Sequence, residues 1–191
     1  MPHNNTARHT GAAYFLFQFH MMATLDDVGN FKCEDIMVNL ENPCTLKSKM
    51  QWSKNVLEEH ESHNQIIHGS MNPNFYVLLG LALHLEHASL TINQNSSPLL
   101  FSVRKQHIQA LLGEIVNQEE FPLFNASSPI RTQSIRKLTV AYARSNGCTK
   151  DYVDARERCK SDIRIVDTYI DCLILFPDAK VELILYNFTQ L

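Results

Sequence analysis

A chain of 191 residues, 45% hydrophobic and 19% charged, can bury one substantial core and has neither a disordered nor a fibrous composition. A formal net charge of −3 without a run of basic residues argues against nucleic-acid binding through phosphate contacts. No unbroken apolar stretch reaches the roughly 20 residues a helix needs to span a bilayer, so membrane insertion is not expected.

Residues Gly11 to Ala23 (GAAYFLFQFHMMA) have the length of a signal-peptide core behind Arg8 and His9. Gln18 and His20 interrupt them, and Met21 spoils the small-x-small cleavage pattern. Residues 1–23 therefore read either as a leader or as an N-terminal helix, and 24–191 as a single helical bundle domain. Thr24 with Asp26 and Asp27 marks a helix start, since acids suit the positive end of the helix dipole. Val28, Phe31, Ile36 and Leu40 continue it as far as Asn42-Pro43.

Asn42-Pro43, Asn72-Pro73, Ser97-Pro98 and Ser128-Pro129 each put a capping side chain before a proline at the mouth of an apolar run. Proline fits the first helical position, where its missing N–H would be unpaired anyway, and Asn or Ser just before it accepts an orphan N–H. The four pairs predict helices. From Pro43 to about His68 the pattern is mixed. Leu46, Met50 and Leu57 could form a stripe, but Lys47, Lys49, Lys54 and the Glu58-Glu59-His60-Glu61 run are solvated, which reads as a long crossover with a short helix in its second half. Pro73 to Ile92 leaves few polar positions, so it is expected in the middle of the bundle. Pro98 to about Gln118 is a cleaner amphipath, with Phe101, Ile108, Leu111, Leu112 and Ile115 inward. Pro129 to Ser145 is another, with Ile135, Leu138 and Tyr142, stopped by Asn146-Gly147 because glycine accepts the left-handed conformation. Thr149 caps a further helix carrying Tyr152, Cys159, Ile163, Val166, Ile170 and Leu173 up to Phe176-Pro177, and Lys180 to Phe188 is read as a last short helix. The expected fold is all-α: a helical-cytokine bundle with long crossover connections.

The histidines His60 and His63, and His84 and His87, stand three apart with Glu59 and Glu86 adjacent, and such pairs on facing helices can hold a metal. The Glu-x-x-His repeat of di-iron bundles is missing, and surface histidines are the preferred reading, so no metal or other cofactor is expected. There is no Gly-x-Ser-x-Gly elbow, phosphate-cradling glycine loop or dinucleotide fingerprint, hence no expected catalysis. Trp52, among Lys47, Lys49 and Lys54, has the character of a docking hot spot, or else pins its loop to the bundle.

Five cysteines (Cys33, Cys44, Cys148, Cys159, Cys172) show no zinc-type pairing, and lie two early and three late. They read either as bridges between the ends of the chain or as buried reduced thiols. Of four Asn-x-Ser/Thr sequons, Asn4, Asn95, Asn125 and Asn187, the middle two fall in expected interhelical loops, and glycosylation at Asn95, Asn125 and Asn187 would suit a secreted protein.

Asn30-Phe31-Lys32-Cys33, the run Leu46-Lys47-Ser48-Lys49-Met50-Gln51-Trp52 after Cys44 and Thr45, and Val181-Glu182-Leu183-Ile184-Leu185-Tyr186-Asn187-Phe188 together resemble the type I interferons, secreted helical cytokines. The likeness covers about half the chain; the family's Cys-Ala-Trp before the last helix is absent. The resemblance implies a Cys44–Cys172 bridge, a second from Cys33 to Cys148 or Cys159, and a secreted ligand, monomeric or weakly dimeric, of a two-chain cell-surface receptor in antiviral signalling. It also implies a receptor face built from Lys47, Lys49 and Trp52 with Arg156 and Arg164. The alternative is an intracellular, all-α protein-interaction module without catalysis.

Overall fold

The structure, a computed structural model, describes residues 3–50, 64–70, 72–90, 98–117 and 130–157. Its elements are helix α1 (His3–His20), helix α2 (Leu25–Gly29), strands β1 (Ile36–Val38), β2 (Thr45–Ser48) and β3 (Gln65–His68), and helices α3 (Val77–Ala88), α4 (Lys105–Val116), α5 (Thr132–Ser145) and α6 (Lys150–Glu157). The expected all-α bundle is thereby corrected. The strands form an antiparallel sheet in the order β1-β2-β3, with Ile36 opposite Ser48, Val38 opposite Leu46, and Ser48 in turn opposite Gln65. The molecule is mixed α and β, and β2 and β3 lie within the span expected to be a crossover.

Local chemistry explains the change. Gly29-Asn30 ends α2 after five residues, and the Asn30 N–H turns back to the carbonyls of Asp26 and Asp27. Asn42-Pro43 lies in the β1–β2 turn instead of opening a helix. There Thr45 N–H donates to Asn42 O at 3.0 Å, and Asn39, buried, donates through Nδ2 to Thr45 Oγ1 at 2.8 Å. These are side-chain and turn bonds of the kind that compete with helix. Pro98 also opens no helix. Its carbonyl accepts the Cys33 N–H at 3.1 Å, Leu100 N–H donates to Phe31 O at 2.7 Å, and α4 starts only at Lys105. Asn72-Pro73 leads through a short 3₁₀ turn into α3, and the Tyr76 ring of that junction lies over Gly69, where a Cβ would collide with it. Pro129 lies outside the described residues.

Two expected signals hold. Thr24 Oγ1 accepts the Asp27 N–H at 3.2 Å while Asp27 Oδ2 accepts the Thr24 N–H at 2.8 Å, a reciprocal capping box. Gly147 adopts φ +87° behind α5.

The centre of the molecule is α1. Ala13, Tyr14, Phe17, Gln18 and His20 are buried on it, and Phe15, Leu16 and Phe19 half-buried, so little of its circumference meets water between Ala13 and His20. Phe17 packs against Phe31 and Phe101, with ring centroids 4.9 and 5.9 Å apart, and Tyr14 against Phe101 at 5.1 Å. The Tyr14 hydroxyl donates to Leu25 O at 2.7 Å, and burial pushes its pKa upward. The stretch that read as leader or helix is the spine of the larger core cluster. A smaller cluster joins Met22, Ala143, Cys148 and Val153 between the end of α1 and the α5–α6 hairpin. Helix α3, expected in the middle, buries only Val77, Leu81 and His84 and leaves Leu79 and Leu83 in water.

Candidate docking face and the polar junction beneath it

The C-terminal end of α1 gathers the other elements. Arg156 of α6, with no exposed surface, donates through Nε to His20 O at 2.9 Å and through a terminal nitrogen to Ile66 O of β3 at 3.1 Å. A cation at the last carbonyl of a helix sits at the negative end of its dipole. Gln65 Nε2 returns a bond to Arg156 O at 2.8 Å. The Ser48 hydroxyl lies 3.3 Å from Gln65 O and 3.4 Å from Met21 sulfur, closing the ring onto β2. Gln18, buried, donates through Nε2 to Thr132 O at 2.9 Å and Ala23 O at 3.3 Å, fixing the start of α5 against the end of α1. Met22 makes the turn in the left-handed region at φ 48°, a strained position for a methionine.

Helix α5 packs one side against this end of the molecule. Thr132, Thr139 and Ala143, at steps of seven and four, face inward. Thr139 satisfies its buried hydroxyl on Ile135 O at 2.9 Å, and Cys148 N–H donates to Ala143 O at 3.0 Å. The opposite stripe, Lys137, Leu138, Ala141, Arg144 and Ser145, is exposed. Leu138 was expected in the core; it is 57% exposed. The stripe belongs to an uninterrupted tract. From residue 121 to 150 the chain has no Asp or Glu and carries Arg131, Arg136, Lys137, Arg144 and Lys150. The net charge of −3 conceals this local excess, because the acids are concentrated elsewhere. Counting along the chain, instead of totalling it, would have found it. Among the described residues no ion pair engages Lys137 or Arg144, whereas Lys150 pairs with Asp154.

Of the receptor-face residues singled out from the sequence, the structure describes Lys47, Lys49 and Arg156. Arg156, assigned to a receptor face, is buried in the junction and meets no partner molecule from there. Lys47 lies on β2 with its Nζ 3.0 Å from Glu41, and the Lys49 N–H donates to Asp35 O at 2.8 Å. Trp52, Arg164, Asn95, Asn125 and Asn187 lie outside the described residues, as do Cys159, Cys172, His60 and His63. No disulfide joins Cys33, Cys44 and Cys148: Cys33 and Cys44 are free thiols, and the proposed Cys33–Cys148 bridge is absent. The reason is spatial, since Cys33 belongs to the larger core cluster and Cys148 to the smaller. Cys44 is an exposed free thiol in the β1–β2 turn, and Cys172, its expected partner, lies outside the described residues.

Burial pushes the Cys33 thiol up, with Asp35 adding to the shift, a direction that disfavours the thiolate. Burial likewise raises the Asp35 carboxyl, against the Lys32 N–H that bonds it at 2.8 Å. His84 does not pair with His87. Its Nε2 donates to Leu100 O at 2.7 Å and its ring stacks on Phe101 at 4.6 Å. No group of three His, Cys, Asp or Glu side chains among the described residues is placed to hold a metal, and none of their helices is long and apolar enough to cross a membrane. A shallow cleft of about 230 Å³ between α1 and α4 is lined by Arg8, Ala12, Leu111, Glu114 and Ile115, below the usual size of a ligand pocket. Compared with models of known protein families, with curated proteins and with solved structures, the chain matches none.

Proposed function

We propose that this chain is a protein-interaction module without catalysis, and that the outer stripe of α5 docks an acidic, amphipathic helix of a partner protein. The observation that carries this reading is the exposed leucine, Leu138, set between Lys137 and Arg144 in a tract with no acid. An apolar centre with a basic rim, arginine included, has the anatomy of a protein interface. A surface serving only phosphates has no use for an exposed leucine at its middle. Lys137 and Arg144 stand seven residues apart, about 10.5 Å along the helix at 1.5 Å per residue, so carboxylates two turns apart on a partner helix match them. The receptor-ligand reading asked for an all-helical bundle tied by bridges between its ends. With a sheet in the fold and no bridge among Cys33, Cys44 and Cys148, we do not carry it forward.

The test is fluorescence anisotropy of the full chain with two probes: a synthetic helix bearing Glu residues seven apart around a leucine, and a short DNA duplex. The reading expects the helix to bind, Lys137→Glu with Arg144→Glu to weaken it at least about tenfold, and Leu138→Ser to weaken it by a similar factor. Duplex binding that depends steeply on salt and ignores Leu138→Ser would replace this reading with a polyanion-binding one.

A further inference from the structure

The turn that ends α5 carries a chemically labile pair, Asn146-Gly147, with both residues exposed. Asparagine is a thermolabile residue, and before glycine it is most so, because no side chain shields the glycine nitrogen from the asparagine amide carbon. In the folded chain both reacting groups are engaged. Gly147 N–H donates to Arg144 O at 3.1 Å, and Asn146 Nδ2 donates to Tyr142 O at 2.9 Å. Asn146 has φ −93° and ψ 18°. A ψ near zero nearly eclipses the Gly147 nitrogen with the Asn146 nitrogen and so turns it away from the Asn146 Cβ, whereas closing a five-membered ring needs it on the Cβ side. The turn is held from behind as well. Cys148 N–H donates to Ala143 O at 3.0 Å, and Cys148 packs with Met22, Ala143 and Val153 in the smaller core cluster.

We infer that Asn146 is a spontaneous modification site gated by the C-terminal cap of α5. When the cap opens, Gly147 N is released from Arg144 O and ψ of Asn146 can rotate. The Gly147 nitrogen, its proton lost to solvent, then attacks Asn146 Cγ. The N–Cγ bond forms, the Cγ–Nδ2 bond breaks, and Nδ2 leaves as ammonia with a proton taken from solvent. Water opens the resulting cyclic imide at either carbonyl, giving aspartate or isoaspartate. One water is consumed, one ammonia is released, and nothing is oxidised or reduced. The product carboxylate stands at the negative end of the α5 dipole, where an anion is disfavoured. It is also the first acid between residues 121 and 150. The isoaspartate branch lengthens the backbone by one carbon inside the stretch that the Cys148–Ala143 bond now closes. None of this depends on what docks at α5.

The test is peptide mapping by mass spectrometry of the full chain and of a synthetic peptide from Ala141 to Asp151, both incubated at mildly alkaline pH. The peptide has no cap and converts freely. The full chain is expected to convert at Asn146 about ten- to a thousandfold more slowly, since the rate follows the fraction of time the cap is open, and helix ends open more often than the whole domain. Val153→Ala, which trims the cluster behind the turn, is expected to speed conversion in the full chain at least about threefold. Ile36→Val, in the larger core cluster, is expected to change it less than about twofold. A chain that converts within about tenfold of the peptide overturns the gate, and one slower by more than about a thousandfold overturns the site. No acceleration by Val153→Ala, or equal acceleration by both variants, assigns the opening to something other than the α5 cap and overturns the inference as well.

Discussion

The second half of helix α1, from Ala13, and helix α3 have similar raw material and opposite positions. Both are rich in large apolar residues, and a few polar side chains interrupt the pattern: Gln18 and His20 in α1, and His84, Glu86 and His87 in α3. On α1 the interruptions are buried and bonded. Gln18 donates to Ala23 and Thr132, and His20 Nε2 lies 3.3 Å from Phe75 O. On α3 His84 is buried with Val77 and Leu81, while Glu86, Leu79 and Leu83 stay in water. Among the described elements, what separates the two is how many close around each. Helix α1 is covered there by α2, α3, α4 and α5, whereas α3 is covered mainly by α1 and β3. Apolar composition marks a helix that has somewhere to bury, but how much of it is buried depends on what the rest of the chain brings to it.

The sharpest way to break the comparison is Phe17→Ala. Phe17 has no exposed surface and meets both Phe31 and Phe101, so the variant loses the ring's transfer energy and leaves a cavity between aromatic neighbours. The expected loss is about 3–5 kcal/mol in urea denaturation, a large part of the stability of a domain this size. A loss under about 1 kcal/mol would mean that α1 is not the spine.

Next in size is Arg156→Met, which keeps the volume and removes the donors at the end of α1. His20 O and Ile66 O, both acceptors of the guanidinium, would be left to find other donors in a buried setting. At about 1–3 kcal/mol for a buried polar group left without its bond, the expected loss is about 2–4 kcal/mol. Hydrogen exchange should show its effect at the α1–β3–α6 junction first, with the aromatic cluster around Phe17 opening later. A uniform loss of protection would assign Arg156 to general packing instead.

How much of this was legible in the sequence follows from the range of the interactions. Thr24 with Asp27, and Gly147 behind α5, act within a few residues, and both are where the pattern put them. The periodic stretches at α3, α4 and α5 were also readable, because each shows several turns of repeat. Strands of three and four residues show no period to read, and β2 and β3 find each other across a gap of sixteen residues between Ser48 and Gln65. Asn42-Pro43 and Ser97-Pro98 suit a turn or an extended segment as well as a helix start, and only the partners, Thr45 in one case and Phe31 and Cys33 in the other, decide. The Arg156 guanidinium reaches a carbonyl 136 residues away, so nothing local distinguishes it from a solvated arginine. At the α5 face the charge tract was visible all along and was hidden by the total, while the exposure of Leu138 follows from the packing of Thr132, Thr139 and Ala143 on the other side of the helix.

The smallest expected effect is the most informative about α3. Leu83→Ser changes a residue one turn from buried Leu81's neighbours but on the water side of the same helix. If α3 is one-sided, the substitution gives up little buried area in the monomer, and the cost is within about 0.5 kcal/mol, as at ordinary surface positions. Leu81→Ala, two residues away on the inner side, should cost about 2–5 kcal/mol. The pair thus reads the two sides of one helix with the same assay, chemical denaturation. Equal losses for both would place Leu83 in a covered environment and return α3 to the middle of the molecule, where its composition alone had put it.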